Sequence, residues 1–323
     1  TGAPTCTKIT EAGKTLADVA LNIGTISPAG GELKWDLPLT TAVVQGTAYN
    51  WTYTPLDAAN YNNLTGSRTP WPAPVNVSTG AELEAALESE GDKTVKLTAD
   101  VVVDSYIIIN GNKTLELNGH KVNVNAYVTV PTGADLKIDG KATGSEITGQ
   151  EEDIFLMEGG SLTIDGGKYI VSGDSRNIVS ILYEAAGGKV EINDGYFQST
   201  EYAVIYSESA QSANPPEVVI NGGTFISNSE SVWGSPDSDV TKVTVNGGTF
   251  CGGGTWPAFN FFDTGNKHLG AGKYLVMDGE HNANTNLWEL DGKFIQVGNN
   301  AGDFVDVTMN AAAGGKGFFF RED

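Results

Sequence analysis

The chain has 323 residues, 40% hydrophobic and 18% charged, a balance that supports a buried core and excludes a disordered chain. Nineteen Lys and Arg stand against 40 Asp and Glu, and the resulting formal charge of -21 repels DNA, RNA and anionic lipid, so nucleic acid is excluded as a partner. No run approaches the roughly 18 to 20 apolar residues that cross a bilayer, so no membrane insertion is expected.

Forty-one glycines, with abundant Asn, Asp, Thr and Val, predict many turns and short extended segments, and hence an all-β chain. The opening at Thr1, with no signal-peptide pattern, is expected of a mature or trimmed fragment. In the first region "LADVALN", "GELKWDL" and "TAYNWTYTP" read as short strands of a small β-sandwich. The stretch "RTPWPAPVN" then interrupts sheet pairing with Pro70, Pro72 and Pro74. A boundary near Pro74 gives domains of residues 1–74 and 75–323. Within the first, Tyr53, Thr54, Pro55, Asp57, Asn60, Tyr61 and Asn62 form a "YTPxDxxNYN"-like pattern. This pattern resembles immunoglobulin-like repeats of secreted and surface proteins of Gram-positive bacteria. The resemblance implies a spacer or display module and an extracellular, secreted or cell-surface setting.

After the prolines, "STGAELEAALESEG" predicts one amphipathic helix, started by a capping box of Thr79 and Glu82 and stopped by Gly91, with Leu83, Ala86 and Leu87 on its apolar face. The segments "LELNGH", "LKIDGK", "LTIDGG", "VEINDG", "VVINGG" and "VTVNGG" follow, each an alternating strand ending on an Asn- or Asp-containing glycine turn. Taking Leu117, Ile138, Ile164, Ile192, Ile220 and Val245 as equivalent gives spacings of 21, 26, 28, 28 and 25 residues. Hairpins or propeller blades are alternatives, because "KYIVS", "YFQST" and "TFISN" follow the turns directly. A third apolar strand in most units, such as "DIFLME", "IVSILYE" and "YAVIYSE", instead favours a parallel β-helix with three strands per coil. Coils stacked about 4.8 Å apart place each motif Asn or Asp above its counterpart. The expectation is a ladder of side-chain hydrogen bonds there, with the Phe or Tyr beyond it filling the interior. This organisation resembles the right-handed β-helix of the pectate-lyase-like superfamily, whose usual N-terminal cap the predicted helix resembles. The resemblance implies polysaccharide chemistry in a groove on one face.

Chemistry is less clearly written. Polygalacturonase-like "NTD", "DD" and "GHG" motifs do not occur. Hydrolysis would need carboxylates about 5 to 9.5 Å apart. Asp153, Glu184 and Glu201 are the catalytic candidates, with Asp153, Asn177 and Glu201 expected at similar heights on neighbouring coils; the alternative is a solvated acidic face. Arg176 is the one arginine of the middle coils, too little for a polyanionic substrate. Trp233 and Trp256, about one coil apart, are candidates for a sugar-stacking platform with Tyr202, against core packing as the alternative. Tyr183 and Tyr206 invite the same comparison. Asp263 joins this ligand-binding set and forms the one local acid/base pair, with His268. No metal-ligand spacing occurs among His120, His268 and His281, so no metal site and no cofactor are expected. Ca2+ at Asp237 and Asp239 is the one cation reading, and two aspartates fall short of the roughly six to eight oxygens it needs. Cys6 and Cys251 form either a disulfide or two free thiols. The function expected is a rigid, adhesin-like surface module binding a polysaccharide or host or cell-surface glycan without catalysis; the alternative is a glycoside hydrolase or polysaccharide lyase.

Overall fold

The structure is a computed structural model that describes residues 1–9, 13–150, 152–173, 177–227, 231–234 and 241–251; beyond these it describes only the backbones of five short strands. The chain divides into two units, Thr1–Val75 and Asn76–Asp323.

In the first unit β1 (Thr5–Cys6) pairs with β2 (Leu21–Asn22), and β3 (Glu32–Trp35), β4 (Tyr49–Thr54) and β5 (Leu64–Arg68) form an antiparallel sheet. Period-two alternation turns Tyr49, Trp51 and Tyr53 to one side, where they join Leu16, Val19, Ile26 and Trp35 in a core. The Tyr53 hydroxyl accepts from Gly31 N at 2.8 Å and donates to Pro28 O at 2.6 Å, so this buried phenol is satisfied. Asp57 accepts from Asn60 N and Nδ2, closing the turn of the tyrosine pattern. The start of "LADVALN" is a 3-10 turn, Leu16–Asp18, rather than a strand, because the Asp18 carboxylate accepts from Thr15 N at 2.8 Å. Cys6 is a free thiol, and burial pushes its pKa up against the pull of Arg68 and Lys8.

Strand β6 (Val75–Val77) spans the boundary, and helix α1 (Gly80–Glu88) follows in the second unit. Thr79 accepts from Glu82 N at 3.2 Å, while the Glu82 carboxylate reaches back one residue further than expected, to Ser78 N at 2.7 Å. Leu83, Ala86 and Leu87 are buried, and they join one hydrophobic cluster that runs from Val77 to Phe250.

Coils follow in chain order. The first three are β7 (Lys93–Leu97), β8 (Val101–Val103) and β9 (Ile107–Ile108); β10 (Asn112–Glu116), β11 (Lys121–Val124) and β12 (Val128–Pro131); and β13 (Asp135–Asp139), β14 (Glu146–Gly149) and β15 (Phe155–Glu158). In the next two, one strand bends through the glycine turn: β16 (Ser161–Val171) with β17 (Val179–Ile181), and β18 (Lys189–Ser199) with β19 (Ile205–Ser207). Then come β20 (Glu217–Ile220), β21 (Thr224–Ser227) and β22 (Val232–Gly234), followed by β23 (Lys242–Val245), β24 (Gly248–Cys251) and β25 (Phe259–Asn260). Each strand pairs in parallel with its counterpart one coil away, which is a parallel β-helix and not a set of hairpins. The remaining strands are β26 (Tyr274–Met277), β27 (Glu280–Asn282), β28 (Leu287–Glu289) and β29 (Ile295–Gly298); β29 pairs antiparallel with both β24 and β26, ending the parallel order on that side.

The register aligns Leu115, Ile138, Ile164, Ile192, Ile220 and Val245 in one interior row. Leu115, and not Leu117, is therefore the counterpart of Ile138. The expected equivalence fails because the Asn118–Gly119 corner turns beside Gly144, whose added Cβ would meet Gly119 O at 2.9 Å, and not beside Asp139–Gly140. A second interior row changes from aliphatic to aromatic: Val122, Ile147, Tyr169, Phe197, Phe225, Phe250. Its rings stack with centroids 4.9, 4.8 and 4.7 Å apart and planes within 15° of parallel.

At the turns the expected polar ladder is present. Asn246 Nδ2 donates to Asn221 Oδ1 at 2.8 Å, Asn221 Nδ2 to Asn193 Oδ1 at 2.8 Å, and Asn193 Nδ2 to Asp165 Oδ1 at 2.6 Å. Lys137 and Lys141 lie 3.0 and 3.4 Å from the other Asp165 oxygen. Burial alone would raise the pKa of Asp165, but the Asn193 and Lys137 hydrogen bonds and the two ammonium charges together hold it below the usual range.

Candidate functional site

Two lateral surfaces of the β-helix carry different chemistry. The strands that include β7, β10, β13, β16 and β18, with their turns, hold every described lysine of this unit, several of them paired with acids: Lys121 and Lys168 with Glu146, Lys137 and Lys141 with Asp165. The other sheet, β9–β12–β15–β17–β19–β22–β25, is different. Among the described residues its strands and flanking loops contain no Lys or Arg, while Asp104, Asp153, Glu158, Glu184, Glu201 and Glu208 stand on them. Arg176 lies outside the described residues.

On this sheet the parallel register carries Ser180 to Tyr206 and Tyr206 to Trp233. Inward neighbours such as Ile205 and Val232 are fully buried while Tyr206 and Trp233 are half-buried, so alternation turns these two rings to the outer side; Ser180, at the same register position, is covered at 3% exposure. Tyr202, from the loop before β19, closes a three-ring cluster. Centroids are 4.9 Å apart for Tyr206–Trp233, 5.4 Å for Tyr202–Trp233 and 6.1 Å for Tyr202–Tyr206. Glu208 accepts from the Tyr206 hydroxyl at 3.0 Å, which orients the central ring.

One coil earlier lies a polar cluster. Asp153 accepts from Asn177 N at 2.6 Å through one oxygen and from the Ser180 hydroxyl at 2.6 Å through the other, while Asn177 Nδ2 donates to Ser180 Oγ at 3.0 Å. These bonds fix the amide orientation, because a flip would place a carbonyl where Ser180 needs a donor. Asn177 is only 3% exposed, and its Oδ1 accepts no hydrogen bond from the protein. A buried acceptor left open is costly, so it marks a place where a water or ligand donor is accommodated. Trp233 Nε1 is likewise buried without an acceptor.

The sequence candidates separate accordingly. Asp153 and Asn177 meet, as their equal height requires. Glu201 does not join them: Val179 pairs with Ile205, so the residue level with Asn177 is the fully buried Ala203, two positions beyond Glu201. The coil between β17 and β19 is two residues longer than the one before it, which a fixed spacing of 24 misplaces. Glu184 is exposed and lies 3.5 Å from Gln211 Nε2. Tyr202 and Trp233 come together, with Tyr206 between them; Trp256, Asp263, Asp237 and Asp239 lie outside the described residues. Ser180 enters the site through parallel register, a signal that no local motif carries, whereas Glu208 enters through its place two residues beyond Tyr206. Among the described residues no group of three or more His, Cys, Asp or Glu side chains is placed to hold a metal ion.

At the far end of the same sheet Tyr106 and Tyr127 form a second ring pair at 4.2 Å, and Tyr106 is 55% exposed. The sheet thus has aromatic ends and a polar middle, suited to apolar sugar faces and hydroxyl groups. No protein-family model matches the chain, and no curated protein or solved structure matches it significantly.

Proposed function

We propose that this chain is an extracellular bacterial surface module. Its β-helix, of the pectate-lyase-like kind, is a rigid support that binds glycan without catalysis, and its first unit is an immunoglobulin-like spacer. The observation that carries the glycan reading is the Tyr202–Tyr206–Trp233 cluster, held by register on the outer side of the sheet beside Asp153, Ser180 and Asn177. Sugar rings stack on such surfaces through their C–H faces while carboxylates and amides take the hydroxyls. The non-catalytic reading is supported by how the carboxylates are used: Asp153 and Glu208 hold neighbouring Asn, Ser and Tyr groups in place.

The test is a glycan array followed by titration calorimetry on wild type, Trp233→Ala and Tyr206→Ala. Wild type retains at least one glycan class, and each substitution weakens binding about tenfold or more, equivalent to about 1.4 kcal/mol. Retention of no glycan overturns the reading. A second reading, a glycoside hydrolase or lyase using Asp153, Glu184 or Glu201, is favoured by the open Asn177 acceptor beside the Asp153 carboxylate. Release of reducing ends or unsaturated products from a polysaccharide panel, lost in Asp153→Asn, would establish it instead.

A further inference from the structure

Resting on the glycan reading, we infer that the ligand of this face is a polymer of amino sugars with free ammonium groups, in preference to a neutral, N-acetylated or acidic glycan. Two features favour a cationic chain, and a third disfavours an anionic one. First, the charge of the β-helix is segregated: among the described residues the lysines stand on the other strands, and the face with the aromatic rings offers Asp104, Asp153, Glu158, Glu201 and Glu208 and no cation. A uronate or sulfated polymer meets repulsion there, and a polyamine meets attraction. Second, the half-buried ring cluster of Tyr202, Tyr206 and Trp233 stands beside the Glu208 carboxylate, and aromatic rings next to a carboxylate attract an ammonium group most strongly when water is partly excluded. Third, the open polar atom of the Asp153–Ser180–Asn177 cluster is an acceptor, Asn177 Oδ1, on a residue 3% exposed. It calls for an N–H or O–H donor and offers nothing to an anionic oxygen.

Length points to a polymer. Tyr127 precedes β12 and Tyr206 lies on β19, three strand steps along the sheet, or about 14 Å at the usual strand spacing. One sugar does not span that distance, whereas an extended oligosaccharide touches both ring groups and crosses the polar cluster between them.

The experiment uses the full chain and calorimetry with four hexasaccharides: β-1,4-glucosamine, its N-acetylated form, the β-1,4-glucose equivalent and an oligogalacturonate. Mildly acidic buffer keeps the amines protonated and the carboxylates ionised. The expected result is glucosamine binding about tenfold tighter than either neutral oligomer, with no oligogalacturonate binding and a loss of the preference as salt is raised. Glu201→Gln with Glu208→Gln should weaken glucosamine binding about tenfold more than it weakens neutral oligomers, while Glu217→Gln, on the lysine-bearing side, should change nothing. An equal loss in Glu217→Gln would mean diffuse attraction to the net charge and would overturn the inference. Equal or tighter binding of a neutral oligomer, still dependent on Trp233, would overturn it while leaving the glycan reading intact. No binding of any oligomer would remove both.

Discussion

Replacing Phe225 tests whether the interior of the β-helix behaves as a column of separately coupled layers. The ring is fully buried, 4.8 Å from Phe197 and 4.7 Å from Phe250, with planes inclined by 13° and 15°. Phe225→Ala should cost about 3 to 5 kcal/mol. Each ring contact accounts for about 0.5 to 1.5 kcal/mol of that, so the two neighbours together account for about 1 to 3. Phe→Leu variants keep most of the apolar volume and isolate the ring term. A double-mutant cycle on Phe197→Leu and Phe225→Leu should return a coupling of about 0.5 to 1.5 kcal/mol in urea unfolding followed by circular dichroism. Tyr169 and Phe225 are separated by the Phe197 layer, so Tyr169→Leu with Phe225→Leu should be additive within about 0.5 kcal/mol. Hydrogen exchange should place the lost protection in β18, β21 and β24. Zero coupling between neighbours, or equal coupling across the intervening layer, would refute nearest-neighbour stacking as the organising interaction.

Four further outcomes follow from the geometry. Because the folded Asp165 carboxyl titrates below its unfolded counterpart, its contribution is present above the ordinary carboxylate range and lost as pH falls through the lower folded value; the stability difference between wild type and Asp165→Asn should therefore shrink on acidification, measured by urea midpoints across an acid series. Thr79→Ala removes the α1 cap bond and should lower unfolding stability by about 1 kcal/mol, and an unchanged urea midpoint would count against the capping role. A cavity of about 20 Å³ lined by Leu83, Leu87, Val103, Ile107 and Val124 lies under the helix, so Val103→Ile should raise stability by up to about 0.8 kcal/mol in the same assay; a lowered midpoint would refute room for a methyl there. Gly140→Ala should destabilise by about 1 to 3 kcal/mol, because its Cβ would stand 2.5 Å from Gly166 O in the next coil; a neutral effect would mean that the coils separate more easily than their packing implies.

What was readable in the sequence was what is decided locally. The later Asn-Gly turns, the aromatic residue beyond them and the Thr79-led helix each follow from neighbouring residues, and each stands where expected. What depends on coil length was not readable. Asn118–Gly119 has the same letters as the later turns but sits at a different corner, and Glu201 fell two residues from its expected level because one coil is longer. Lys113 shows the same limit from the other side. It occupies the interior row that Leu136 and Leu162 continue, at 2% exposure, and is tolerated because its ammonium donates to the main-chain carbonyls of Gly91 and Asn110. Burial, aided by the charge of Lys93, lowers its pKa. The site was half readable for the same reason: Trp233, Tyr202 and Tyr206 stand out as residue types, but only the stacking of coils sets Tyr206 between the other two and Ser180 beneath.

The turn ladder gives the stack a direction. An asparagine side chain both receives a proton donor and supplies one, so any coil bearing it can be inserted between two others and still complete the row; an aspartate at that level only receives, and so ends the chain of donors. Asp165 is the terminus here, and Asn193, Asn221 and Asn246 are interchangeable links. Duplication of the 25-residue segment from Glu217 to Thr241 would thus lengthen the molecule without a new design, whereas the same duplication made across Asp165 would place two termini in one row and break it.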